Sequence, residues 1–311
     1  MPESKERFEK IYTLRSLNCG TTIQLTFTAY CPVKAQYLLG VDFSSAPTHR
    51  KPITVAVGLM PTTNDPVYRL QTIREIETLR AFEHMLTEPL NWIGGFDLPF
   101  GQPRKLIECN QWPTQWNEFV HFFCGQSREY LRETFRDWCN NHPPGNKLAW
   151  RKADKPAGSS PAMRWTNPPV AWMMHAGIAR MLEAGLAFPA HRYPRKRSHI
   201  KRIALEAYPG FTARKVIRGS YKSDTPAKQT PERKTRRKLI LDALSNGEAG
   251  LSICLESNRR WRHRIIEDAR GDLLDAVICS LQAGHAAFQR NFGLPRNLDT
   301  LEGWIASVPV R

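Results

Sequence analysis

Three apolar stretches of this chain end in the same way, in a carboxylate followed at once by turn-forming residues: YLLGVDFSS at 37–45, WIGGFDLPFG at 92–101 and IALEAYPG at 203–210. Short apolar runs bounded by turn signals predict strands buried on both faces, as in parallel sheets. Parallel neighbours place their carboxyl ends along one edge, where open α/β sheets bind ligands. The pattern therefore predicts an α/β fold that brings Asp42, Asp97 and Glu206 to one sheet edge.

Between the first two acidic strands, ITVAVGLM at 53–60 and PVYRLQTI at 66–73 read as two more strands, making a three-stranded meander. Ile76, Leu79, Phe82, Met85 and Leu86 recur at helical spacing and predict a helix over 76–88. From Pro103 to Pro194 the chain is rich in Trp and helical patterns, and this region of about 103–194 is read as a helical insertion whose own core is built by its tryptophans. Its most apolar part, 168–190, contains His175, Arg180 and Glu183, so it reads as a buried helix and not a membrane span. After the third acidic strand come a short helix around 211–217, a basic loop, a helix at 238–245 and a long helix through 267–289. The expected fold class is thus a mixed sheet flanked by helices over residues 37–290. Residues 1–36 are read as an N-terminal extension whose TTIQLTFTAY strand has no obvious neighbour, and 291–311 as a C-terminal tail.

The final helix carries Asp272 and Asp275 on one face, followed along that face by Ala276, Cys279, Ala283 and Ala286. Small residues permit close approach to a sheet, which would bring these carboxylates to those of the strands. Singly, each acid has an ordinary explanation: turn formation for Asp42 and Asp97, pairing with nearby arginines for Glu206, and the helix dipole for Asp272 and Asp275. The recurrence of apolar strand, acid and turn, together with the final helix, is what points to a site. Clustered carboxylates repel unless cations compensate, and oxygen donors without His or Cys favour Mg²⁺ or Mn²⁺. A pair of such ions is the machinery of phosphodiester hydrolysis.

Lys and Arg number 45 against 29 Asp and Glu, and the formal charge of +16 makes nucleic acid the first partner to consider. Basic stretches at 192–202, 214–238 and 259–264 flank the acidic motifs. Lys222, Arg214, Arg218, Arg236 and Arg237 are the expected phosphate contacts, and Tyr193, Tyr221 and Trp261 the expected stacking surfaces for bases. The seven cysteines form no C-x-x-C pair, and the start MPESKERFEK lacks the pattern of a signal peptide, so reduced thiols and a cytoplasmic location are expected.

The motifs Gly40-Val41-Asp42-Phe43-Ser44, Gly95-Phe96-Asp97-Leu98-Pro99, Glu206-Ala207-Tyr208-Pro209 and Asp272-Leu273-Leu274-Asp275-Ala276, with Ser220-Tyr221-Lys222 as a basic motif, resemble those of the predicted-nuclease family known as domain of unknown function 429. Their order is also similar to that of Holliday-junction resolvases. The resemblance covers roughly residues 37–290. It implies a ribonuclease H-like fold and metal-dependent phosphodiester cleavage, with Asp42, Asp97 and Asp275 as metal ligands and Asp272 or Glu206 assisting. Two other readings stand beside it. GVDFSS also resembles the first phosphate-binding strand of actin-like and sugar-kinase-type phosphotransferases, although no P-loop motif is present and Gly94-Gly95 lies inside a strand. A non-catalytic nucleic-acid-binding protein would keep the basic surface alone.

Overall fold

The computed structural model describes residues 10–15, 22–27, 35–191 and 200–310. Strands β1 (Lys10–Arg15) and β2 (Thr22–Phe27) pair antiparallel in a small sheet of their own, so the strand expected to lack a neighbour pairs with the segment just before it. The main sheet contains β3 (Tyr37–Asp42), β4 (Ile53–Leu59), β5 (Val67–Ile76), β6 (Trp92–Asp97), β7 (Arg202–Glu206) and β8 (Cys254–Glu256) in the spatial order β7-β6-β3-β4-β5-β8. β3, β4 and β5 form the antiparallel meander, while β6 runs parallel to β3, β7 to β6 and β8 to β5. The protein is therefore α/β, with a six-stranded mixed sheet flanked by helices.

One face of the sheet carries α1 (Leu79–Thr87), α2 (Arg104–Cys109), α3 (Trp116–Gly125), α4 (Arg128–Asn140) and α6 (Val170–Glu183), while the short α5 (Asp154–Ala157) packs in a separate small cluster with Ile305 and Val308. Alternation along the strands sends Leu39, Val41, Trp92 and Phe96 into this layer, where they share one core with Phe119, Phe123, Trp116 and Met181. The helical insertion is thus a layer of the fold. Trp112, Trp116, Trp138 and Trp172 are buried in it, whereas Trp150 is exposed. Among the described residues no helix is long and apolar enough to cross a membrane, and α6, the most apolar part of the insertion, is buried against the sheet layer.

The opposite face carries α7 (Pro209–Val216), α8 (Pro231–Asn246), α9 (Arg259–Glu267) and α10 (Asp272–Ala287). Leu38, Ile93, Ile203 and Leu205 meet Leu274, Ile278 and Leu281 there. Several boundaries differ from expectation for local reasons. Ile76 stays in β5 because Thr78 caps α1, its hydroxyl accepting from the Ala81 amide at 3.1 Å. α8 starts within the stretch read as a loop, since Pro231 suits a first helical position. α10 starts at Asp272 and not at 267, because Gly271, at φ 79°, breaks the helix expected over 267–289. The segment after 291 is no loose tail: Leu301, Ile305 and Val308 are buried, and the Ala306 amide donates to the Glu206 carbonyl at 2.7 Å beside β7.

The closest packing lies between α10 and the two central parallel strands. Gly40 and Gly95 stand opposite each other in register. A methyl group at Gly40 would overlap the Ala276 carbonyl and the Ser280 amide, and one at Gly95 the Cys279 carbonyl, all of them helix backbone. We expect Gly40→Ala and Gly95→Ala each to cost at least about 2 kcal/mol in urea unfolding, since backbone on both sides leaves nothing to yield. A cost below about 0.5 kcal/mol would mean that the helix can lift off the sheet without penalty.

Candidate functional site

Asp42 and Asp97 end adjacent parallel strands as a register pair, two residues beyond Gly40 and Gly95. By the period of the strand they share the glycines' face, the face on which α10 lies. The first turn of that helix supplies Asp272 and Asp275. Four carboxylates from three elements therefore gather where β3 and β6 run out beneath the start of α10.

Their surroundings differ. Asp275 is completely buried and well partnered: its Oδ1 accepts from the Tyr221 hydroxyl at 2.5 Å, and its Oδ2 accepts from the Lys222 ammonium. The Asp272 Oδ2 lies 3.4 Å from the Arg270 Nε, an ion pair without a hydrogen bond. Burial drives the Asp42 carboxyl well above its ordinary value; Lys222 opposes the rise, and Asp275, Asp272 and Asp97 reinforce it. Burial likewise pushes Asp97 up to about 7 against the pull of Lys222, with Asp275 and Glu206 adding to the rise. Asp272 is raised to about 6, by burial first and by Asp268 second. For Lys222, burial alone would lower the value, yet Asp275, Tyr221 and Asp42 outweigh it and hold the ammonium firmly charged.

Glu206, expected among the catalytic residues, does not join this group as a free carboxylate. It is buried, with Arg151 Nη2 at 2.5 Å from its Oε1, and Arg151 Nη1 at 2.8 Å and the Phe100 amide at 3.0 Å from its Oε2. Arg151 belongs to the insertion, and nothing in its local sequence marked it.

The basic stretches also divide. Arg236 donates to the Ser220 carbonyl, Arg237 to the Tyr221 carbonyl and Arg233 to the Lys222 carbonyl, at 2.9, 2.8 and 2.9 Å. Three arginines of α8 thus hold three consecutive carbonyls of the segment that delivers Tyr221 and Lys222 to Asp275. Arg237 is buried, as are Tyr221 and Trp261, whose indole donates to the Gln71 carbonyl at 3.2 Å; none of the three is a surface contact for nucleic acid. Arg214 lies 5.2 Å over the Tyr208 ring and donates to the Ala157 carbonyl, while Arg218 is exposed. Tyr193 and residues 192–199 of the first basic stretch lie outside the described residues.

Among the described residues no three His, Cys, Asp or Glu side chains form a ready metal cage, and the cations these carboxylates meet are the Lys222 ammonium at Asp275 and the Arg270 guanidinium at Asp272. Set against known proteins, the chain matches no family model, no curated protein and no solved structure.

A carboxyl whose folded value is raised stabilises the fold most below its unfolded value and loses that contribution as pH rises through the folded one. For Asp97 the window runs from about 4 to about 7. With EDTA present, Asp97→Asn should therefore be more stable than the parent at pH 8, and the gap should shrink by more than about 1 kcal/mol at pH 5. Parallel stability–pH curves for the two proteins would show that Asp97 bears no such load.

Proposed function

We propose that this protein is a metal-dependent nuclease with a ribonuclease H-like fold, hydrolysing phosphodiester bonds of DNA or RNA at the Asp42, Asp97, Asp272 and Asp275 group. The observation that carries the reading is the register pair Asp42 and Asp97 beneath the two aspartates of α10. The strand order supports the fold assignment: a meander of three, then two strands added in parallel on the far side of the first. Resemblance to the predicted nucleases of domain of unknown function 429 points the same way, since its motifs supply these aspartates.

A divalent cation fits the residues present. The donors are hard carboxylate oxygens suited to Mg²⁺ or Mn²⁺, and cationic side chains, Lys222 on Asp275 and Arg270 near Asp272, already stand among the acids. Asp42, Asp97 and Asp275 would hold the ion with Asp272 beside them, and once bound it would neutralise the phosphate and acidify a bound water. Asp272, the carboxylate left beside the ion, would accept the proton of the attacking water. Water oxygen bonds to phosphorus and the ester oxygen departs. Tyr221 fixes the Asp275 carboxylate, and Lys222, whose side chain is 40% exposed, can offer its charge to a phosphate. Arg218 on the exposed surface is suited to contact the backbone of a longer substrate.

The test is cleavage of labelled single-stranded, duplex and branched DNA and RNA with Mg²⁺ or Mn²⁺. Asp42→Asn and Asp275→Asn should each lower kcat at least about 100-fold while leaving binding intact. Binding by all three proteins with no cutting by any would instead indicate a nucleic-acid-binding protein. In binding titrations Arg218→Ala should reduce the salt slope by about 1, whereas Arg237→Ala should act first on stability, because its partners are buried carbonyls.

A further inference from the structure

A densely bonded polar group lies near Asp97. The Arg151 guanidinium sits between two carboxylates, with Asp154 Oδ1 at 2.8 Å from Nη2 and 3.0 Å from Nε, and Glu206 gripped by both terminal nitrogens. All three side chains are buried. The Glu206 Oε2 also accepts from the Phe100 amide at 3.0 Å, and the Phe100 carbonyl accepts from the Trp116 indole at 2.8 Å. Residue 100, three places after Asp97, is thus held on its amide side by β7 and on its carbonyl side by α3. Arg151 Nη1 reaches the Glu302 carbonyl at 3.2 Å, and the Glu302 carboxylate accepts from the amides of Arg104 and Lys152 at 2.8 and 2.9 Å. Four distant stretches of chain meet here: the loop after β6, the end of β7, the insertion near 151–154 and the C-terminal segment near 302.

We infer that Glu206 is a positioning residue: with Arg151 it clamps the loop that follows Asp97, and this makes the insertion and the C-terminal segment parts of the frame that aims the Asp97 carboxylate. Both Glu206 oxygens are already engaged by three donors. To turn either toward a cation would leave Arg151 with one buried carboxylate instead of two and the Phe100 amide without an acceptor. The geometry of the clamp stands by itself; its consequence for metal binding rests on the nuclease reading.

The conservative variants Glu206→Gln and Glu206→Asp, made in the full chain, separate the two roles. Gln keeps the length and an acceptor oxygen for Phe100 but loses the charge; Asp keeps the charge but is too short to reach. Two measurements are needed: hydrogen exchange at the Phe100 amide, and Mn²⁺ affinity by calorimetry. For a clamp, Glu206→Gln should leave Phe100 protected and Mn²⁺ affinity within about 2-fold of the parent. Glu206→Asp should speed Phe100 exchange about 10-fold, with β3 unaffected, and weaken Mn²⁺ several-fold. Asp97→Asn should lose Mn²⁺ affinity about 100-fold with Phe100 still protected.

The opposite order overturns the inference. If Glu206→Gln loses Mn²⁺ as severely as Asp97→Asn while Glu206→Asp retains it, Glu206 is a ligand. Unchanged Phe100 exchange in Glu206→Asp would likewise dispose of the clamp. A parent protein that binds no Mn²⁺ would overturn the metal reading alone, and Phe100 exchange would then decide the clamp by itself.

Discussion

The near-contact of α10 with β3 and β6 governs the rest of the structure around the candidate site. Gly40 and Gly95 present bare backbone to the helix, and Ala276 and Cys279 lie directly over them. With the axis at that depth, the residues one turn earlier reach the ends of the strands, and those residues are Asp272 and Asp275. The strand period then places Asp42 and Asp97 on the same side. The crowding of carboxylates is therefore a consequence of packing. Leu274, Val277, Ile278 and Leu281 are fully buried, and sinking side chains of this size contributes roughly 1.5–3 kcal/mol each, enough to carry like charges together.

Compensation of that charge is uneven, and the unevenness has chemical meaning. Asp275 receives a hydroxyl and an ammonium, and Glu206 receives a guanidinium and an amide, so both are fixed in place. Burial raises the proton affinity of Glu206 as well, against the pull of Arg151, but it raises Asp42 and Asp97 much further. Groups held in that condition gain most from an added cation or a transferred proton. On this ground Glu206 and Arg151, already paired with each other, differ from Asp42 and Asp97.

The acids were legible in the sequence because their signal is local. An apolar run that ends in Asp or Glu before a turn is visible within about ten residues, and so is the Asp272–Asp275 spacing. What made them a site was harder to read. Gly40 and Gly95 looked like ordinary strand residues, since the helix they admit lies more than a hundred positions away in the chain. Arg151 sits 55 positions from Glu206, in a loop of unremarkable composition. β8, with three residues, is too short to show alternation, and the segment after 291 carries no periodicity although Leu301 and Ile305 are buried.

Net charge was the most misleading guide at the level of single residues. A run of basic residues on α8 invites assignment to a solvated binding face, yet a helix distributes consecutive residues around its axis, so a run cannot share one environment. Arg237 turns inward, and Arg233 and Arg236 reach back to neighbouring carbonyls of the segment from Ser220 to Lys222. Guanidinium groups suit that task because several donors in one plane can satisfy carbonyls that a loop leaves unpaired. Part of the positive charge is thereby committed to holding Tyr221 and Lys222 against Asp275. The charge left outside is carried by exposed residues such as Arg218, so the basic character of the chain is divided between fixing the partners of a buried carboxylate and setting the field at the surface.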